Sequence, residues 1–335
     1  MFIKEVASSL YAWDLADEGI ATIADNLQER ANCNCMYLVG VMHYEKRPLT
    51  SLYYTHNTKR KFYLPENSRA YYRLNMDSFK NTKLKPCFTE RDFLKGVDWL
   101  DVLTEEARKR GMKTGVELSH TIFDTNIALE QYPEMMQRDV NGGILKDQQG
   151  MLCPNHPDVH EFQRAMFYDS VKHRADLPAD LRRRPDCEGS VVLRAVDGHR
   201  ESQHGRAPRP GRRRLLLRAL PREGDQVGLR LGAHRARHED HSCHRPRHAL
   251  CFQDYLMENN LTLGSNLTDC MLYIEYPGLL DFIKFRIQSI TELFADIYKS
   301  VHEAKPSIDF RYNNYVRYPE YTGISFKDIA PYVDS

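Results

Sequence analysis

The stretch KTGVELSH at residues 113–120 decides which fold the sequence predicts. Val116 and Leu118 alternate with polar neighbours, which is typical of a strand whose two faces carry different chemistry. The strand ends at His120, where a βα loop would begin. Polar side chains at the carboxyl ends of strands build the active site of an α/β barrel. We therefore expect Glu117 to be a candidate acid/base, with a structural ion pair in a core strand as the alternative.

Outward from this strand, other segments predict further strands and helices in alternation. We expect strands at Phe2–Trp13, Cys35–Val41 and Ser307–Asn313. The expected helices begin at the capping residues Asp14 and Thr89 and at the first-turn prolines Pro157 and Pro277. Strands that alternate with helices indicate an α/β class with a parallel sheet.

Residues 47–88 interrupt this alternation with a long polar and aromatic insertion. It contains His56 and the tyrosines Tyr53, Tyr54, Tyr63, Tyr71 and Tyr72. A loop of this length in a compact domain is usually functional or disordered, and the aromatic content argues against disorder. The rings could stack on a flat ligand or could simply pack the surface of the insertion.

Composition restricts where the protein acts. The formal net charge is +1, and no apolar run approaches the ~20 residues needed to span a bilayer. The amino terminus lacks the pattern of a signal peptide, and the eight cysteines show no framework spacing, so we expect a cytoplasmic protein with reduced thiols and no membrane partner. The sequence predicts no cofactor and does not indicate the oligomeric state. The last residues, Tyr332–Ser335, begin a further strand, which predicts that one or two βα units are lacking.

Residues 173–250 differ sharply from the rest of the chain. They contain no Phe, Tyr, Trp, Met, Ile, Asn, Lys or Thr, yet they hold 18 arginines and 8 of the 14 histidines. Their net charge is +8, which leaves −7 for the remainder. Without aromatic residues or isoleucine, this segment is expected to supply neither strands nor a normal core.

Two interpretations of this segment compete. A basic disordered insert could bind nucleic acid. Alternatively, the segment is translated out of frame, because a shift of one base lets the codons of residues 215–220 encode Cys-Phe-Cys-Glu-His-Cys. The second interpretation is preferred, and nucleic acid is not the expected partner. The out-of-frame interpretation divides the chain into three parts. These are an amino-terminal part of the fold at 1–172, an out-of-frame, disordered segment at 173–250 and the later βα units of the fold at 251–335, which are truncated.

Several segments together resemble the uncharacterised glycoside-hydrolase-like TIM-barrel proteins. The resemblance rests on the shifted Cys-Phe-Cys-Glu-His-Cys and on five segments of the printed sequence, Val6–Asp14, Leu38–His43, Thr114–His120, Cys153–Val159 and Asp309–Glu320. It implies a (β/α)₈ barrel, incomplete here, and a carbohydrate-active hydrolase when the frame and the carboxyl terminus are intact. In many such barrels the acid/base follows the fourth strand and a second carboxylate follows the seventh, so the pair required for glycoside hydrolysis is not assigned.

At the mouth of such a barrel, we expect Glu117 as the candidate acid/base among six residues that bind a carbohydrate substrate: Trp13, His43, His120, Asn155, Arg311 and Asn313. Trp13 could form a stacking floor for a sugar or could be ordinary packing. His43 and His120 could bond sugar hydroxyls, and Asn155 could instead cap its helix. Arg311 could pair with Glu117 and hold it ionised.

Two other functions remain open for this sequence. A metal-dependent sugar isomerase or epimerase could use the same barrel, with a metal held by His43, Glu117 and His120. A non-catalytic protein could bind sugar in a degenerate barrel, or could bind nucleic acid through the basic segment.

Overall fold

A computed structural model gives the fold of the chain for residues 5–41, 49–50, 57, 59–60, 62–66, 68–119, 122–138, 142–144, 150–175, 189–194, 277–313 and 323–334. The strands are β1 Ala7–Leu10, β2 Cys35–Val39, β3 Leu49–Thr50, β4 Phe62–Tyr63, β5 Arg69–Ala70, β6 Cys87–Phe88, β7 Lys113–Ser119, β8 Ile122–Phe123, β9 Gly150–Met151, β10 Gly189–Arg194 and β11 Asp309–Asn313. The α-helices are α1 Ala12–Glu18, α2 Ile20–Ala31, α3 Trp99–Lys109, α4 Thr125–Gln131, α5 Pro157–Ala175, α6 Pro277–Ala304 and α7 Phe326–Ile329. Short 3₁₀ turns cover Met76–Phe79, Pro133–Met135 and Ala330–Tyr332.

Five strands form one parallel sheet in the order β1-β2-β7-β10-β11. The prediction that the strands near 113 and 307 share one parallel sheet is confirmed. Their register aligns residues in rows across the sheet. One row runs through Leu10, Leu38, Val116 and Phe310, with β10 between the last two. The adjacent row towards the carboxyl ends contains Glu117 and, across β10, Arg311.

The row that begins at Leu10 faces the helices. Its four leucine, valine and phenylalanine side chains are buried in the same core as residues of α3, α5 and α6. Phe310 makes edge-on contacts with Phe167 of α5, at 6.0 Å between ring centroids, and with Phe294 of α6, at 6.4 Å. The helical layer therefore covers this face, as the alternation in the sequence predicts.

The opposite face of the sheet is concave. In a flat sheet, β1 and β11 would lie about 19 Å apart, because neighbouring strands are spaced by roughly 4.8 Å. Arg311 on β11 nevertheless forms a salt bridge with Glu5, two residues before β1, and its Nη1 lies 2.8 Å from the Tyr37 hydroxyl of β2. The side chains of these residues cannot reach one another across a flat sheet, so the five strands form a curved sheet. The described strands do not form a complete barrel.

Close packing at the end of β2 depends on Gly40. A Cβ atom at this position would lie 2.5 Å from Cγ2 of Val116 and 2.9 Å from Cε1 of Tyr72. The backbone amide of Tyr71 donates to the Gly40 carbonyl at 3.0 Å. Glycine therefore lets the insertion dock directly on the carboxyl ends of β2 and β7.

Several predicted boundaries are wrong. β2 ends at Val39 rather than at Val41, and β11 begins at Asp309 rather than at Ser307. The first strand ends at Leu10 rather than at Trp13, and Asp14 lies inside α1, because the Tyr11 carbonyl accepts from the amides of Asp14 and Leu15 and begins the helix earlier. The helix expected from Thr89 begins at Trp99, where the Asp98 side chain accepts from two backbone amides at 3.2 and 3.0 Å. The Thr89 hydroxyl instead donates to Glu66 at 2.5 Å.

The expectation that residues 173–250 supply no strand is wrong for Gly189–Arg194. This short stretch pairs in parallel with β7 on one side and β11 on the other. Its Val-Val-Leu sequence is compatible with a strand, although the surrounding composition is not. Apart from this strand and the end of α5, the segment lies outside the described residues. Its assignment as out of frame, and the division of the chain into three parts, stay predictions.

Candidate functional site

Glu117 lies on the concave face of the sheet, near the carboxyl end of β7. Only 3% of its surface is exposed, whereas Ser9 of β1 is exposed. The Ser9 hydroxyl donates a short hydrogen bond to Oε1 of Glu117. This bond crosses the position of β2, so it again requires a curled sheet. It fixes the orientation of one carboxylate oxygen.

Arg311 points along the concave face towards the amino ends of the strands. Its Nη2 lies 3.1 Å from Oε2 of Glu5, and its Nε lies 2.7 Å from Oδ2 of Asp309. The bonds from Arg311 hold the pKa of the Glu5 carboxyl below its usual range, and the same bonds raise the pKa of Arg311. In the part of the chain that the structure describes, the ion pairs of Arg311 therefore go to Glu5 and Asp309, and the expected pairing with Glu117 does not occur.

Cys35 occupies the same concave face below Tyr37 and is fully buried. Burial raises the pKa of its thiol to about 11. A thiol of this kind is protonated at neutral pH and is a poor nucleophile. We therefore assign Cys35 to packing, not to chemistry.

Trp13 stands in α1, just beyond the carboxyl end of β1, within a group of aromatic rings. It stacks on Tyr11 at a centroid distance of 4.4 Å and an interplanar angle of 9°. Tyr63 and Tyr71, both from the insertion, contact it at 5.1 and 5.9 Å. Trp13 is only 1% exposed, so its faces are covered by other rings in this structure. We define Trp13, Tyr63 and Tyr71 as the aromatic triad.

A polar group beside the aromatic triad was not anticipated from the sequence. Arg60 forms two bonds with the Asp17 carboxylate, at 2.5 and 2.6 Å, and Asn57 bonds both Asp14 and Asp17. Burial alone would raise the pKa of Asp17, but the bonds from Arg60 and Asn57 outweigh burial and keep that pKa below its usual range. These contacts fasten the insertion to α1. Their partners are 40 or 43 residues apart in the sequence, so no local pattern could have revealed them.

Asn155 lies in the turn that precedes α5. The alternative that it caps this helix is not what the geometry shows, because Nδ1 of His156 accepts from the Asp158 amide at 3.2 Å. Burial lowers the pKa of His156, which keeps the ring neutral and able to accept. His160 fixes the same turn, with one ring nitrogen 2.5 Å from the Pro154 carbonyl and the other 2.6 Å from Asp296 of α6.

The predicted site residues are thus distributed over several contact groups. Among the described candidates, Glu117 contacts Ser9, Trp13 contacts the two insertion tyrosines, and Arg311 contacts Glu5 and Asp309. The structure does not bring these three candidates into direct contact. His43 and His120 lie outside the described residues, as does the side chain of Asn313, so their roles stay predictions.

The described part of the chain contains neither a candidate metal centre nor a membrane-spanning helix. No group of three or more His, Cys, Asp or Glu side chains is arranged there to hold a metal ion. Because His43 and His120 are not among these residues, the metal-dependent alternative is untested. None of the helices in that part of the chain is both long and apolar enough to cross a bilayer.

Comparison with known proteins gives distant structural likenesses alone. No family model and no curated protein matches the chain. The chain resembles a β-galactosidase from the psychrophilic Marinomonas ef1, at a TM-score of 0.48 and 12% identity over 98% of this chain and 40% of that one. A β-galactosidase from Halorubrum lacusprofundi gives a TM-score of 0.46 and 13% identity over 98% of this chain and 38% of that one. A β-galactosidase from Bacillus circulans sp. alkalophilus gives a TM-score of 0.47 and 13% identity over 99% of this chain and 39% of that one. The chain spans about two fifths of their length, and at TM-scores below 0.5 these likenesses decide nothing about its chemistry.

Proposed function

We propose that the chain is a carbohydrate-active hydrolase of the glycoside-hydrolase type, with Glu117 as one of its two working carboxylates. The observation that supports this most is the placement of Glu117. It is a buried carboxylate on the concave face of a curled parallel sheet, near the carboxyl ends of the strands, where α/β barrels bind substrates. The Ser9 hydroxyl orients it there.

The separation of Glu117 from Arg311 is consistent with a role in proton transfer. A carboxylate held in a bidentate bond by arginine stays ionised and is a poor general acid. Arg311 is instead engaged by Glu5 and Asp309. Among the described contacts of Glu117 is a hydrogen bond that it accepts from the neutral hydroxyl of Ser9, not from a guanidinium.

Glycoside hydrolysis needs a second carboxylate facing the first, about 5–5.5 Å away for retention of configuration and about 6.5–9.5 Å away for inversion. The other described carboxylates on the concave face, Glu5 and Asp309, are bound by Arg311. We therefore expect the second carboxylate to come from residues beyond the described ranges, at the carboxyl end of another strand.

The direct test is hydrolysis of a panel of 4-nitrophenyl glycosides by the chain and by Glu117→Gln. Loss of a general acid/base lowers turnover by about 10²–10⁴-fold. We expect this loss with the fold intact, as judged by circular dichroism and by the thermal midpoint. The matched control is Glu106→Gln, because Glu106 is a buried carboxylate in the helical layer that pairs with Lys109 and Arg110.

The two variants separate catalysis from stability. Glu106→Gln should lower the thermal midpoint while turnover per folded molecule is retained. If Glu117→Gln behaves in the same way, Glu117 is a structural residue and the proposal fails. An unmodified chain that hydrolyses none of the panel also contradicts the proposal.

A further inference from the structure

The aromatic triad contains three buried hydrogen-bond donors that have no partner within the described structure. They are Nε1 of Trp13 and the hydroxyl groups of Tyr63 and Tyr71. The two hydroxyl groups lie near each other, and that of Tyr63 lies near Arg91, but neither makes a hydrogen bond of normal geometry. The three side chains are 1%, 6% and 1% exposed. Nearly all buried polar groups in folded proteins have a hydrogen-bond partner, so three unpaired donors in one cluster require an explanation.

These donors belong to one site, because the rings that bear them are in contact. Trp13 lies 5.1 Å from Tyr63 and 5.9 Å from Tyr71 between ring centroids. Burial raises the pKa of Tyr63 to about 12, and burial followed by the proximity of Tyr63 raises the pKa of Tyr71 as well. Both phenols are therefore protonated and able to donate at neutral pH. The indole N–H can only donate.

The charges around the triad decide which kind of acceptor fits. Arg60 and Arg91 lie 5.3 and 5.9 Å from the Tyr63 ring, but Arg60 is neutralised by Asp17, and Arg91 lies near Glu66 at 4.0 Å. Asp14 adds a further carboxylate. Among the described residues, the neighbourhood has no excess of positive charge and so does not favour an anion. A neutral group with oxygen lone pairs fits the donors better.

We propose that the aromatic triad is a binding site for the hydroxyl groups of a neutral sugar ring. Sugar hydroxyls supply the acceptors that the three donors lack, and aromatic side chains combine apolar faces with polar edges suited to a pyranose. Tyr63 and Tyr71 thereby join Trp13 as ligand-binding residues. The choice of a sugar as the ligand rests on the proposed function, whereas the presence of the three buried donors does not.

The first test needs no ligand and compares two adjacent tyrosines. The Tyr72 hydroxyl is bonded to Ser170 at 2.7 Å, whereas the Tyr71 hydroxyl has no partner in the described part of the chain. Removal of a bonded hydroxyl destabilises a protein, and removal of an unpaired one does not. We expect Tyr72→Phe to lower the thermal midpoint and Tyr71→Phe to leave it unchanged or raise it. A lowered midpoint for Tyr71→Phe would mean that a water already satisfies the hydroxyl, and it would overturn the proposal.

The second test uses the fact that the chain has only two tryptophans. Trp99 donates to the Leu94 carbonyl at 3.0 Å, outside the triad, so Trp99→Phe leaves Trp13 as the single fluorescent reporter. We expect a saturable change in its emission with methyl β-D-glucopyranoside or methyl β-D-galactopyranoside. A matched titration with D-glucuronate should give a weaker response. In Trp99→Phe/Tyr71→Phe, the Kd should rise about 5–10-fold, which corresponds to loss of one hydrogen bond.

The titration has outcomes that contradict the proposal. No response to either methyl glycoside up to about 100 mM would overturn it, since even millimolar affinity would be detected there. If D-glucuronate binds more tightly than the methyl glycosides, the inference that the ligand is neutral is wrong. Saturable binding without hydrolysis would contradict the proposed function alone. Hydrolysis that depends on Glu117, without any response of Trp13, would contradict this inference alone.

Discussion

Arg311 offers a quantitative test of the curled sheet. Arg311→Met removes the guanidinium that joins Glu5, Asp309 and Tyr37 but keeps an extended side chain. Breaking a fully buried ion pair costs about 3–5 kcal/mol, and an exposed pair contributes about 0.2–1 kcal/mol. Arg311 and its two acidic partners are 23%, 19% and 28% exposed, between these limits. Because Lys113 remains 3.8 Å from Glu5, we expect a loss of about 2 kcal/mol at neutral pH.

The loss should also depend on pH in a defined direction. The pKa of Glu5 is lowered in the folded protein, chiefly by its bonds with Arg311. A carboxylate of this kind stabilises the fold above its unfolded pKa of about 4.3, and that contribution disappears as the pH falls through the lowered folded pKa. The difference between Arg311→Met and the unmodified protein should therefore shrink on acidification.

Urea unfolding followed by tryptophan fluorescence, at neutral and acidic pH, measures both effects. The matched control is Arg164→Met, because Arg164 pairs with Glu161 on one exposed turn of α5, where the two side chains are 35% and 39% exposed. The control should lose no more than about 0.5 kcal/mol. If Arg311→Met loses as little as the control, or if its deficit is independent of pH, the inferred bridge across a curled sheet is refuted.

Two further predictions address close packing and burial on the two faces of the sheet. Gly40→Ala should lower stability by about 1–3 kcal/mol, since the added Cβ would overlap Val116, and an unchanged thermal midpoint would contradict that close approach. Cys35, whose pKa burial raises to about 11, should resist iodoacetamide near pH 8 in the native protein and react after urea unfolding, as judged by mass spectrometry of the peptide. Rapid modification of the native protein would show that the concave face is open to solvent at this depth.

Period-two alternation was the most informative signal in the sequence. It predicted that Val116, Leu118 and Phe310 face the helices and that Glu117 and Arg311 face the other way. Such a pattern can be read from neighbouring residues alone. The folded sheet keeps the predicted register because a slip of one residue would expose an entire apolar face. The long helix from Pro277 was predictable for the same reason, since its apolar residues recur at helical spacing.

The partners of the site residues could not be predicted in this way. Arg311 pairs with Glu5 across 306 residues, and nothing near either residue specifies the other. The helix near residue 98 shows a different difficulty. Thr89 has the pattern of a capping box, but Asp98 provides the actual cap. A local pattern indicates only that a residue such as Thr89 is able to cap a helix. Contacts with the insertion, such as the bond from Thr89 to Glu66, determine which residue caps the helix.

The order of the strands in the sheet has a consequence for how the chain folds during synthesis. β1, β2 and β7 are complete once residue 119 has left the ribosome, and they can pair in that order without later sequence. The free edge of β7 must then wait for β10, which ends at residue 194, and the free edge of β10 must wait for β11, which ends at residue 313. Parallel pairing of strands that are far apart in the sequence is slow, because the chain loses the entropy of loop closure before the new contacts stabilise it. The nascent chain therefore carries an unpaired strand edge through much of translation, and chaperones that shield such edges should be engaged in this interval.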